Sequence, residues 1–343
     1  MKDIRVSEFV INRLYEKYKV KYISLITGNG ALVLNDALAK NKNIKPICVH
    51  HEQDAGYFCL GYSKYSNKIS VCNPTTGCAS FNVLTPLLSA FQDHTPILFL
   101  SGNVALKQTT RYFKTKEKIN LKKLGAQEAD IIEMVKPITK YAVTIDNPEL
   151  IEHELDKAID IALTAPFGPV WIDIPADIGA TFIKQSNLIK YQKKKTPKKN
   201  NSQISKFKNM LKKFKRPIVL GGNGIKLSNT ENEFKKFIQK YKIPCVFTYG
   251  GADILEYNHP LRIGIIGVKG DRAGNFAIQN ADGIICLGCC LNTPQVGYIS
   301  EKFAKNAKKI VVDIDSENHR KNIINIDLFI ESDLNNFLEH INE

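Results

Sequence analysis

The chain has 343 residues, 43% of them apolar and 24% charged, which gives room for roughly two domains at ~150 residues each. No run of about 18 apolar residues occurs, excluding a transmembrane helix. The opening Met-Lys-Asp-Ile-Arg leads into an amphipathic stretch, so no secretory signal is expected. The formal charge of +14 is nearly all lysine, with only seven arginines. Arginine is the usual residue for bidentate phosphate and base contacts, so the excess reads as solvated surface, with no nucleic acid and no membrane as partner. The eight cysteines lie mostly in apolar runs such as Ile47-Cys48-Val49 and Val71-Cys72. Cys286-Leu-Gly-Cys289 has CxxC spacing but ends an apolar strand, with no second pair or histidine cluster, so no metal site is expected. Free thiols without a disulfide framework predict a reducing, cytoplasmic setting.

In chain order, apolar spacing at Val6, Phe9, Val10 and Leu14 predicts a helix from Val6 to Tyr18. A strand from Tyr22 to Ile26 runs into Thr27-Gly28-Asn29-Gly30, followed by a helix through Leu34 and Leu38. Ile47 to His50 reads as a strand, Glu52 to Tyr65 as a helix and Ile69 to Cys72 as a strand. A helix from Ala79 to Phe91 and a strand from Ile97 to Ser101 follow. Asn147 caps a helix opened by Pro148 and Glu149, with an apolar stripe through Leu150, Leu155 and Ile159, and Gly168-Pro169 turns into the strand Val170 to Ile174. From Leu188 to Gln203 apolar content collapses into a lysine-rich linker.

The second block opens with a helix through Ile204, Phe207 and Leu211. Strands are predicted at Pro217 to Leu220, Cys245 to Thr248, Gly283 to Leu287 and Lys309 to Ile314, with helices through Phe234 and Ile238 and from Ala273 to Asn280. Strands alternating with helices at this spacing predict two doubly wound parallel-sheet α/β domains, over 1–187 and 204–343, joined by the 188–203 linker. The turns Gly28-Asn-Gly30 and Gly221-Gly-Asn-Gly224 sit between strand and helix, but neither completes a dinucleotide fingerprint.

The distinctive residues stand in the first block: His51-Glu52-Gln53, Thr75-Thr76-Gly77-Cys78-Ala79-Ser80-Phe81-Asn82, Phe91-Gln-Asp-His-Thr-Pro96 and Gln127-Glu128-Ala129-Asp130. In order and spacing they resemble the pyrimidine-binding domain of the thiamine diphosphate enzymes related to acetolactate synthase. The resemblance continues through Lys136-Pro-Ile-Thr-Lys-Tyr141 and Gly168-Pro-Val-Trp-Ile-Asp-Ile-Pro175. Gly267-Val-Lys-Gly-Asp-Arg-Ala-Gly-Asn275, Gln279-Asn-Ala-Asp282 and Val311-Val-Asp-Ile-Asp315 are similar to that family's Rossmann-like central domain. The Thr-Thr-Gly-Cys and Gly-Asp-Arg-Ala-Gly-Asn variants look most like the branch found in bacterial surface-polysaccharide gene clusters.

The resemblance implies a site. Glu52 matches the carboxyl that relays a proton at N1' of the cofactor's aminopyrimidine, favouring the imino tautomer that deprotonates thiazolium C2. Such a carboxyl works best when held out of bulk water. Thr75, Cys78 and Asn82 match the segment packed on the aminopyrimidine, and Gln127 a residue lining the same pocket. The turn Gly28, Asn29 and Gly30 matches a loop reaching the pyrimidine from the partner's side of the dimer interface. Many relatives have proline at Cys78, and acetolactate synthase has phenylalanine at Ala126, departures that bear on substrate more than on cofactor.

Two absences shape the remaining expectations. Where flavin-binding acetolactate synthases carry an arginine-rich stretch, this chain reads Cys289-Cys-Leu-Asn-Thr-Pro294, so FAD is not predicted. The family's diphosphate-binding domain, with the Gly-Asp-Gly…Asn motif that holds magnesium, has no counterpart in these residues, so Mg2+ is expected only with such a domain supplied elsewhere. The leading expectation is a thiamine diphosphate-dependent, acetolactate synthase-like enzyme. It would decarboxylate a small-molecule 2-oxo acid and ligate the acyl unit to a carbonyl, in the setting of surface-carbohydrate biosynthesis. A homodimer or tetramer is expected. The alternative is a catalytically incomplete half that needs a separate diphosphate-binding chain or is an inert truncated remnant.

Overall fold

The computed structural model describes residues 3–193, 203–321 and 323–343. The chain divides into two compact units, 1–195 and 196–343. Of the expected linker, residues 194–202 lie outside the described residues. Leu188 is buried in the first unit's core and Ile189 N donates to Glu149 O, so the chain stays on that unit through Lys193.

The first unit runs β1 (Ile4–Arg5), α1 (Val6–Glu16), β2 (Tyr22–Leu25), α2 (Leu32–Lys40), β3 (Lys45–Cys48), α3 (Glu52–Ser66), β4 (Ser70–Asn73), α4 (Cys78–Asn82), α5 (Leu84–Gln92) and β5 (Ile97–Asn103). It continues through α6 (Thr110–Tyr112), α7 (Ile131–Val135), β6 (Tyr141–Thr144), α8 (Ile151–Ala162), β7 (Val170–Pro175), α9 (Ala176–Ala180) and β8 (Phe182–Ile183). Six strands form a parallel sheet in the order β3-β2-β4-β5-β7-β6, while β1 and β8 pair antiparallel beside it. Successive strand residues alternate between two cores. Val71, Leu98 and Ile172 face α1, α2 and α8; Cys72, Phe99 and Trp171 face α3, α5 and α7. A strand buried on both faces has to be apolar throughout, which is why these segments read as continuous apolar runs.

The second unit repeats the plan. It runs α10 (Ile204–Leu211), β9 (Pro217–Gly221), α11 (Gly224–Leu227), α12 (Glu231–Tyr241), β10 (Cys245–Phe247), β11 (Arg262–Ile265), α13 (Arg272–Asn280), β12 (Gly283–Leu287), α14 (Thr293–Val296), β13 (Lys308–Asp313), α15 (Ser316–His319), β14 (Leu328–Glu331) and α16 (Leu334–Asn342). Its parallel order is β11-β10-β9-β12-β13-β14. The fold is therefore α/β with two doubly wound parallel sheets, as expected. The sequence reading passed over β6, β11 and β14, which are sheet edges. β6 is half-buried along its length and β11 nearly so, which weakens their apolar runs. It also read β3 about two residues late, because the edge strand Lys45-Pro46-Ile47-Cys48 begins with exposed positions.

One long predicted helix is two. The stretch 79–91 breaks at Val83, whose φ of −90° and ψ of 3° leave the helical region. The cause is Pro86: it has no N–H for the carbonyl of Asn82, and its ring crowds that carbonyl. Several family-like stretches are structural. Lys140 Nζ donates to the carbonyls of Ile161, Thr164 and Pro166, capping α8, and burial lowers its pKa to about 8. Asp271 caps α13 through Gly274 N and also accepts from Ile265 N, while Asn275 holds both the N–H and the carbonyl of Gly267. Among the described residues no helix is long and apolar enough to cross a membrane, and no group of three or more His, Cys, Asp or Glu side chains is placed to hold a metal.

Candidate active site

In the first sheet β2 leads to β3 on one side, and the chain then crosses back to place β4 on the other. The crevice outside the carboxyl ends of such strands is where open α/β sheets take ligands. Here the β2 end carries Gly28–Gly30 and the β4 end carries Thr75–Gly77. Ala31 N donates to Thr75 Oγ1 at 3.2 Å, bracing the two loops to each other, and Thr76 Oγ1 donates to Gly102 O in β5 at 3.3 Å. Ser80 Oγ donates to Thr75 O. A Cβ on Gly30 would lie 1.6 Å from Thr76 Oγ1, so only glycine permits this approach. The Gly28–Gly30 turn thus packs against its own chain's Thr75 and Thr76, and the Thr75 hydroxyl serves as a brace. Asn29 points outward and is exposed.

Glu52 is the first residue of α3, placed by the end of β3. His51 caps the helix, its Nδ1 accepting from Gln53 N at 3.1 Å. A carboxylate at this end sits favourably against the helix dipole. The Glu52 side chain is half-buried, and its Oε2 accepts from Asn82 Nδ2 at 2.9 Å. Its charge is felt on β4 below, where the buried Cys72 thiol is pushed up by burial, then by Cys59, then by Glu52. Cys78, at the start of α4, is exposed.

Gln127 joins from a long excursion between α6 and α7. It is exposed, has a φ of +61°, and its carbonyl lies against Gly77, where a Cβ would come within 1.3 Å of it. The next residue clamps the excursion shut: Glu128 accepts from Thr110 N and Thr110 Oγ1, both at 3.1 Å. Burial pushes the Glu128 carboxyl up, the Thr110 bonds partly offset this, and Asp130 adds to the rise. Arg111 pairs with Asp130 at 3.2 Å beside it.

The structure thus joins Gly28, Gly30 and Thr75 in one braced turn, Glu52 with Asn82 in one hydrogen bond, and Gln127 to Gly77 next to Cys78. Sequence reasoning did not single out Gly77, Gly102 or Glu128 as parts of the site. Glycine two residues after the apolar run Ile97–Leu100 was the available signal for Gly102. A half-buried carboxylate held by an amide, next to glycine-permitted backbone and exposed amide and thiol groups, suits an aminopyrimidine, which needs a proton-exchanging carboxyl at a ring nitrogen.

Residues 4–132 match the thiamine pyrophosphate enzyme N-terminal TPP binding domain, and residues 204–341 match the central domain of the same enzymes. The chain is 32% identical over 331 residues to the acetolactate synthase large subunit of Lactococcus lactis, covering 96% of this chain and 55% of that protein. It is 30% identical over 347 residues to the probable acetolactate synthase large subunit of Methanocaldococcus jannaschii, covering 98% of this chain and 55% of that protein. Against isozyme 1 of the Escherichia coli K12 large subunit the identity is 30% over 311 residues, covering 90% of this chain and 52% of that protein. The chain spans about half the length of the curated relatives it matches. Sequence, fold and matched regions agree, and the chain belongs to the thiamine pyrophosphate enzyme family, of which it carries the N-terminal and central domains.

Proposed function

We propose that this chain forms the pyrimidine-binding side of a thiamine diphosphate-dependent carboligase of the acetolactate synthase type. The observation that carries the reading is Glu52, held by Asn82 at the rim of the sheet crevice within the region matching the TPP binding domain. The bound cofactor would supply a nucleophilic thiazolium carbon for decarboxylating a 2-oxo acid and passing its acyl unit to a carbonyl acceptor. Glu52 exchanges a proton with N1' of the pyrimidine. Gly28, Asn29, Gly30 and Thr75 bound one wall, and Cys78 and Gln127 the other. The residues that hold magnesium and the diphosphate come from sequence outside these 343 residues, in the same polypeptide or in another. A second copy of the chain covers the half-open site; Tyr57 and Phe58 on α3 and Leu88 and Phe91 on α5 are exposed and give that contact apolar surface. A role in modifying a surface sugar is supported by the motif resemblance alone, and the protein is expected to be isolated colourless, without FAD.

Alkylation tests the reading. Thiamine diphosphate with magnesium should slow modification of Cys78 and leave Cys48, at the end of β3, unaffected. Equal modification of Cys78 with and without saturating cofactor, in the assembly that binds it, overturns the placement.

A further inference from the structure

We propose that Asn82 is a positioning residue that decides which oxygen of Glu52 carries the transferable proton. The inference rests on the reading of Glu52 as the activating carboxyl. Asn82 Nδ2 donates to Glu52 Oε2 at 2.9 Å. Of a carboxyl's two oxygens the unprotonated one is the stronger acceptor, so an N–H held on Oε2 favours the proton on Oε1. A glutamate otherwise has three rotatable bonds and two equivalent oxygens. Here the backbone end is fixed by the His51 cap and the far end by the amide.

The local sequence builds this contact. Pro86 ends α4 at Asn82, so that residue closes a short helix and does not run on in a long one. α3 and α5 pack closely enough that a Cβ on Gly56 would meet Pro86 Cγ at 2.4 Å, which fixes the distance between the segments bearing Glu52 and Asn82. Asn82 is exposed at its helix end, so replacing it removes no core packing. The other titratable groups around Glu52 are His50, His51 and Asp54 on its own segment, Cys78 at the start of the helix that Asn82 ends, and the buried Cys72 on β4, which feels its charge.

The first test needs no cofactor. In the 15N-labelled chain, Glu52→Gln should shift the side-chain amide signals of Asn82, because it replaces the charged acceptor they face, and Asp54→Asn should leave them in place. Asn82 amide signals unmoved by Glu52→Gln overturn the proposal. The second test reads exchange of the cofactor C2 proton in the assembly that binds thiamine diphosphate. Asn82→Ala should slow exchange about tenfold to a hundredfold, the scale of a misplaced catalytic group. Asn82→Ser, which keeps a donor, should recover part of the rate. Asn82→Asp sets two carboxyls face to face sharing a proton, so the pH profile should move alkaline. If Glu52→Gln slows exchange while Asn82→Ala does not, the positioning role fails and the Glu52 reading stands. If neither slows it, the Glu52 reading itself fails.

Discussion

Replacing Gly77 with alanine should loosen the candidate site and the first unit together. Gly77 has a φ of +60° and a ψ of −119°, a region that side chains avoid, and holding alanine there costs about 1–3 kcal/mol. Its Cβ would lie 1.3 Å from the carbonyl oxygen of Gln127 and 2.5 Å from the carbonyl carbon. To reach ordinary contact near 3.5 Å the carbonyl must retreat by roughly 2 Å. That movement pulls on Glu128 and its two bonds to Thr110, where loss of a hydrogen bond to a charged group costs about 1.5–3 kcal/mol. A total near 3 kcal/mol corresponds to a fall in melting temperature of roughly 6–12 °C for a unit of this size. Trp171, the single tryptophan, is fully buried in the first unit and stacks on Phe99 at 5.2 Å, so its fluorescence reports that unit's unfolding. Gly61→Ala is the control. Gly61 lies exposed within α3, and a Cβ there meets nothing within 4 Å, so it should raise stability by about 0.5–1 kcal/mol. A Gly77→Ala protein that melts with its parent refutes the packing of Gln127 on Gly77.

The α1–α8 clamp gives a second prediction. Burial pushes Asp156 up, but bonds from Arg13, Lys17 and Tyr18 and the charge of Arg13 outweigh it, and the carboxyl sits below its usual range. Its contribution is therefore present above the usual carboxylate range and lost as pH falls through the lowered value; Asp156→Ala should cost about 1.5–3 kcal/mol at neutral pH by removing the charged bonds to Arg13, which keeps Glu152 at 2.9 Å, and to the exposed Lys17. Asp173 behaves oppositely. Burial pushes it up to about 6, against bonds from Asn103, Ser101 and Thr144 that lower it and the nearby Asp130, which adds to the rise. Its contribution is full below the unfolded value near ~3.9 and lost as pH rises through about 6, so the stability difference from Asp173→Asn should change by on the order of 3 kcal/mol across that window. Native thiol titration should find Cys48 and Cys78 fast, Cys290 slow because burial pushes its thiol up, and the buried Cys59, Cys72, Cys245, Cys286 and Cys289 unreactive.

The central strands were legible because residues such as Val71, Phe99 and Ile172 are buried on both faces and leave uninterrupted apolar runs. The edges β6 and β11 were not, since their residues are largely half-buried and lack such runs. Glu52 was visible from its neighbours in sequence, but the hydrogen bond from Asn82 spans thirty residues and depends on a helix break that the apolar periodicity of 79–91 conceals. Pro86 was the signal for that break. Glu128 and Thr110 were invisible for a similar reason, because they meet only when the excursion between them closes.

The central claim is that Glu52 is the carboxyl that activates the cofactor. Exchange of the C2 proton of bound thiamine diphosphate, followed by NMR in parent and Glu52→Gln assemblies, tests it most directly. Glutamine keeps the size of the side chain and removes the relayed proton, so exchange should slow by ~10²–10⁴-fold, the usual worth of a positioned proton transfer. Exchange in Glu52→Gln as fast as in the parent would contradict the account.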